Sequence, residues 1–76
     1  MTTRCKFLCT SVTKQQYNRN QPLVYVSKFM AVHSGSEENK AFFEATPNGN
    51  LEVGTHKEEV FQVGKHYYLD ITEAPD

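Results

Sequence analysis

A small α+β fold, mainly β, is predicted for this chain of 76 residues. Three features carry the prediction. Short stretches alternate apolar and polar residues with the period of a strand. Clusters of Asn, Gly, Pro and Ser separate them at short intervals. One stretch alone has a capped start and a proline-defined stop, the marks of a helix. The architecture expected is a small antiparallel, partly open barrel or curled sheet of four to five strands with one short helix. An open barrel of the OB type is one such arrangement. Length allows a single domain, residues 1–76, and one core.

The first strand is "RCKFLCTSVTK", with Cys5, Phe7 and Cys9 on one face and Lys6, Leu8, Thr10 and Val12 on the other. "QQYNRNQP" is a polar connector, and Pro22 suits the start of the next strand. That strand, "LVYVSKFMAV", is the strongest in the chain. Its faces are Val24, Val26, Lys28, Met30 and Val32 against Leu23, Tyr25, Ser27, Phe29 and Ala31. The first set is expected inside, with Tyr25 and Phe29 left partly available; Lys28 argues against that choice.

Ser36 then reads as a helix N-cap, with Glu37 and Glu38 where the positive end of the helix dipole favours carboxylates. A full capping box would place Glu or Gln where this chain has Asn39. Ala41, Phe42 and Ala45 fall on one side of the helix, which should stop at Thr46 because Pro47 disfavours helical geometry before it. Phe42 is expected to plug the core and Phe43 to remain outside it. "PNGN" reads as a turn with a positive φ at Gly49. "LEVGT" is a short strand with Leu51 and Val53 inward. "HKEEVF" is expected to form a helical turn burying Val60 and Phe61. "HYYLDIT" closes the sheet with Tyr67, Leu69 and Ile71 inward and His66, Tyr68, Asp70 and Thr72 outward.

Hydrophobic residues make up 38% of the chain, below the usual globular share of about 45–50%, so the core must be thin. Five Phe and four Tyr offset this in part. A thin core and a formal net charge of −1 leave room for a homodimer. No stretch approaches the roughly 18 apolar residues of a membrane span, so a cytoplasmic chain with no membrane partner is expected. On one strand Cys5 and Cys9 lie about 13 Å apart, beyond the roughly 7 Å a disulfide tolerates. They read as small buried hydrophobes. Residues 1–36 hold Arg4, Lys6, Lys14, Arg19 and Lys28 and no acid, while residues 37–76 hold all nine acids and Lys40, Lys57 and Lys65. This split is read first as oppositely charged strands lying side by side, and second as a basic face for an anionic partner.

"SEENKAFFEATPNGNLEV" followed by "FQVGKHYYLDIT" resembles a family of small proteins encoded by tailed bacteriophages. In that family a Ser-Glu-Asn-Lys stretch, a Phe-x-x-Ala-Thr-Pro-x-Gly turn and a terminal Phe-x-x-Gly-Lys-x-Tyr-Tyr strand occur together. "CTSVTK" extends the resemblance over most of the chain. The resemblance carries no activity or catalytic residue across. It implies a phage origin, hence the host cell cytoplasm, and an accessory role such as handling nucleic acid or disabling a host defence.

Cys5, Cys9, His33, His56 and His66 lack metal-ligand spacing, so no metal and no cofactor is expected. Glu52 and Asp70 could meet across a sheet, but outward carboxylates on short strands are ordinarily solvated. "VGK" alone is not a phosphate loop. No enzyme and no catalytic residue is predicted. The remaining constellation is cationic and aromatic: Lys14, Tyr17 and Arg19 in the first connector, and Tyr25, Lys28 and Phe29 on the second strand. Cations pair with phosphates and aromatic faces stack on bases, so this set suits a nucleotide or single-stranded nucleic acid. Glu37, Glu38 and Phe43 form a second candidate surface, for a partner or a dimer. The leading expectation is a non-enzymatic accessory binding protein, an anti-defence factor that occupies a host protein or sequesters a nucleotide signal. The alternatives are a single-stranded nucleic-acid or RNA binding module and a minor structural or assembly protein.

Overall fold

The computed structural model describes residues 2–44 and 46–75. Their elements are β1 (Thr2–Gln15), β2 (Val24–Ala31), α1 (Glu37–Phe43), β3 (Asn50–Thr55) and β4 (His66–Thr72). The strands form one sheet in the order β3-β2-β1-β4, every neighbouring pair antiparallel. The sheet curls into a half-barrel with the helix beside it, as the alternation and the cap signals predict. Its Cα envelope measures 46 × 34 × 17 Å, the short dimension of one curled layer.

The concave face carries the core. Cys5, Phe7, Cys9, Phe29 and Ala31 form its buried cluster, with Phe43, Leu51, Val53, Phe61, Tyr67 and Leu69 packed half-buried against it. Both cysteines are free, as strand geometry requires. β3 and β4 lie at opposite edges, so their connection passes over the concave side. Phe61 from that connection packs edge-to-face on Phe29 at 5.0 Å and on Tyr67 at 5.2 Å between ring centroids. The segment is then fastened to β1 by Gly64 N–H to Cys9 O (2.9 Å) and Cys9 N–H to Lys65 O (3.0 Å).

The facing of β2 is the reverse of the expected one. Ser27, Phe29 and Ala31 are buried on the concave side, while Lys28 and Met30 are exposed. The reason is energetic: an unpaired buried ammonium is costly, whereas a buried Phe removes a large apolar area from water. Val26 is buried as well, so mid-strand both sides of β2 are covered.

A β-bulge also changes β1. Cys9 stands opposite Phe29 but Ser11 stands opposite Lys28, leaving Thr10 as the extra residue. Its hydroxyl donates to Lys28 O at 3.2 Å. Beyond the bulge the side-chain parity inverts, and Val12 and Lys14, opposite Ser27 and Tyr25, come onto the concave side. The uninterrupted alternation expected for Val12 fails at this one residue.

The helix begins at the expected cap: Ser36 Oγ accepts from Asn39 N–H at 3.2 Å. It ends earlier than expected, at Phe43, because Glu44 adopts the left-handed conformation (φ 53°) and donates its N–H to Lys40 O. Phe43, not Phe42, turns to the core, and Phe42 is exposed. Ala45, expected on the helix's inner side, lies outside the described residues. Gly49 does not have the positive φ expected of it; positive values fall on Gly35, Gly64, Glu44 and Glu59. A Cβ there would stand 3.7 Å from the Phe43 ring and 3.8 Å from that of Phe7, ordinary van der Waals contact, so neither φ nor space demands glycine at this turn. The helical turn expected over "HKEEVF" is absent: the segment is a series of bends and turns, Phe61 is half-buried and Val60 is exposed. The aromatic contacts of Phe61 decide its path.

Candidate functional site

The β1–β2 hairpin extends beyond β4, and its connector beyond β3. β4 pairs with β1 only from Thr2 to Leu8, and β3 pairs with β2 from Tyr25 to Met30. The hairpin end, residues 12–25, is therefore an arm without β4 beside it, flanked by β3 as far as Tyr25 and closed by an irregular connector. That connector is shaped by polar bonds. Gln16 Nε2 donates to Arg19 O (3.2 Å) and to Gln21 O (2.9 Å), Asn18 Oδ1 accepts from Arg19 N–H (2.9 Å), and Gln21 N–H closes on Asn18 O (3.1 Å). At its base His56 Nδ1 meets Leu23 O at 3.0 Å, a geometry that fits the Nδ1-protonated tautomer.

Of the six cationic and aromatic residues expected to bind a ligand, four gather on this arm. Lys14 Nζ stands 5.9 Å over the Tyr25 ring, a contact made possible by the Thr10 bulge. Tyr17 is 70% exposed and Arg19 is exposed. The other two are elsewhere. Lys28 is on the convex face, 3.7 Å from Glu52 across β2 and β3. Phe29, 3% exposed, is held in the core by edge-to-face contacts with Phe61 and Tyr67; its ring cannot serve as an open stacking platform.

The second expected surface is also rearranged. Glu37 is exposed in the first helical turn, while Phe43 is half-buried under the Phe42 ring at 4.9 Å. Glu38 joins a convex-side network. A hydrogen bond from its own backbone N–H, and then one with the Tyr68 hydroxyl, hold its carboxyl below the usual carboxylate range. The same bond to Glu38 raises the Tyr68 phenol. Arg4 lies 4.6 Å over the Tyr68 ring and grips Asp70 with both ends of its guanidinium, Nε to Oδ1 at 2.7 Å and Nη2 to Oδ2 at 3.1 Å. These bonds, followed by a smaller Coulombic attraction, keep the Asp70 carboxyl low.

The charge split is thus resolved in part inside the sheet. Basic β1 and β2 occupy the centre and the acid-bearing β3 and β4 the edges, giving Arg4–Asp70 and Lys28–Glu52. Lys14 and Arg19 on the arm, like Lys6, Lys40, Lys57 and Lys65 elsewhere, have no ion-pair partner among the described residues.

Two features escaped sequence reasoning. One is the bulge, for which only the break in alternation after Cys9 gave a signal. The other is Asn39, 1% exposed. Its Oδ1 accepts from Lys6 N–H (2.6 Å), and its Nδ2 donates to Lys6 O (2.7 Å) and Val32 O (3.0 Å). The amide continues the ladder on β1 where β2 has ended, and so docks α1 edge-on to the sheet. Its signal was an amide in place of the Glu or Gln of a capping box.

Cavities are shallow. The most apolar one, about 210 Å³, lies on the concave face between Phe7, Phe29, Leu51, Val53 and Leu69, below the roughly 300 Å³ at which ligand pockets begin. Among the described residues no three His, Cys, Asp or Glu side chains gather as a metal site, and no helix is long and apolar enough to cross a membrane. No protein-family model, curated protein or solved structure matches the chain.

Proposed function

We propose that this protein is a non-enzymatic phage accessory factor that acts by binding. In this reading the β1–β2 arm is its recognition element and an anionic surface of a host defence protein its target. One observation carries the proposal: the arm presents a highly exposed Tyr17 beside two cations, Lys14 and Arg19, that have no carboxylate partner among the described residues. Arg and Tyr, here Arg19 and Tyr17, are residue types that anchor interfaces. The resemblance of "SEENKAFFEATPNGNLEV" and "FQVGKHYYLDIT" to tailed-phage proteins supports the accessory role.

Expression in bacteria carrying defence systems should restore plaquing by a sensitive phage, and Lys14→Ala with Arg19→Ala should abolish the rescue while leaving the circular dichroism unchanged. Rescue unaffected by both substitutions would remove the arm from the mechanism. Lys14 over Tyr25 favours a second reading, binding of a nucleotide or single strand. Its mark would be oligonucleotide affinity that falls steeply with salt.

A further inference from the structure

We infer that the concave face of the half-barrel, crossed in the single chain only by the 56–65 connection, is covered further by a second copy of this chain. The first argument is area. A self-sufficient monomer of 8.7 kDa should expose about 4,700 Å², whereas this chain exposes 6023 Å². The surplus of about 1,300 Å² per chain, part of it on the 16–23 connector and the 73–75 tail, leaves room for the roughly 800 Å² per partner that a standard interface removes. The radius of gyration agrees: it is 14.7 Å, against about 11 Å for a compact domain of this length. Both reflect a sheet covered on its concave side only by the 56–65 connection, and a hairpin that outruns β4.

The second argument is charge. Along the strands Arg4, Lys6, Lys28, Glu52 and Asp70 alternate onto the convex face, and the cross-strand ion pairs lie there. Among the described strand residues the concave face carries Lys14 alone, at its far end beside Tyr25, and the connection that crosses it adds Lys57, Glu58, Glu59 and Lys65. Isologous pairing sets a patch against its own copy in self-complementary fashion. The apolar strand positions of the concave face suit it, whereas Arg4, Asp70, Lys28 and Glu52 on the convex face are already engaged with one another. Leu51 and Val53 on β3 and Tyr67 and Leu69 on β4 are only half-buried in the single chain, and Ile71 on the same side is 49% exposed. A foreign partner would leave them wet in the free protein; a second copy is present wherever the chain is made.

The inference stands apart from the arm and its target. Sedimentation equilibrium of the full chain should give twice 8.7 kDa, and its melting temperature should rise on concentrating from about 1 to about 100 µM, as mass action requires. A folded chain of single mass with a concentration-independent melting temperature over that range overturns the inference, even if it still rescues plaquing. Val53→Lys on concave β3 should weaken association at least about tenfold, while Met30→Lys on the convex face should leave it unchanged. Should Val53→Lys fail to fold, the concentration dependence of the unaltered chain decides alone. Loss of association in Met30→Lys with retention in Val53→Lys places the interface on the wrong face and equally overturns it.

Discussion

Asn39 shows how much one buried amide can hold. β2 ends at Ala31 and leaves the Lys6 peptide without a full strand partner; Val32 N–H still reaches Lys6 O at 3.1 Å, but Lys6 N–H depends on Asn39 Oδ1. An alanine at this position would strip the partner from Lys6 N–H and one donor from Val32 O in a site closed to water. Each buried group left unsatisfied costs about 1–3 kcal/mol. Asn39→Ala is therefore expected to lower the stability by about 2–4 kcal/mol in urea denaturation. Asn39→Asp should be at least as damaging, because it replaces the Nδ2 donor with an acceptor facing two carbonyls. A loss below about 0.5 kcal/mol for Asn39→Ala would mean that the helix is not docked through this amide.

At the scale of elements, α1 is a seven-residue helix with a good start and a strained finish. Glu44 takes the left-handed position that glycine normally fills after a helix, at a steric cost that glycine avoids. Glu44→Gly should accordingly raise the stability, by about 0.5–1 kcal/mol, with the gain read from the urea midpoint at unchanged slope. A destabilised variant would show that the Glu44 side chain contributes more than its backbone geometry costs. The cap at Ser36 was legible because its hydroxyl, the two acids and the proline are local signals. The stop was not, since it depends on where Phe43 must point to reach Phe7 and Gly49, which the linear pattern does not contain. Strand positions were legible for the same local reason, and Leu51, Val53, Tyr67 and Leu69 face inward as their alternation implies. β2 was harder to read because both of its parities hold apolar residues. Lys28 and its neighbour Phe29 settle the choice by the cost of burying one and the gain from burying the other. The candidate arm was legible in composition, but Lys14 reaches Tyr25 only through a one-residue bulge that no spacing in the sequence announces.

For the whole molecule, the placement of the two thiols gives a direct gauge of cooperativity. Cys5 and Cys9, 2% and 0% exposed, sit on β1 between β2 and β4, which place them in the middle of the sheet. Burial also pushes the Cys5 thiol up, away from the reactive thiolate. Neither sulfur can meet a reagent until β1 loses a neighbour, so labelling must proceed through opening of the structure. For a domain of this length, a stability of about 4–11 kcal/mol corresponds to an open fraction of roughly one in 10³ or less. Under native conditions an aromatic disulfide reagent should label both cysteines at least about 10³-fold more slowly than in strong denaturant, where opening is complete. One shared rate is expected, because both belong to the same buried cluster. A Cys9 that labels alone and fast would show that the 56–65 connection, held there by Gly64 and Lys65, opens independently of the sheet. Equal and slow labelling that slows further as protein concentration rises would tie the stability of that core to a second copy closing over the concave face.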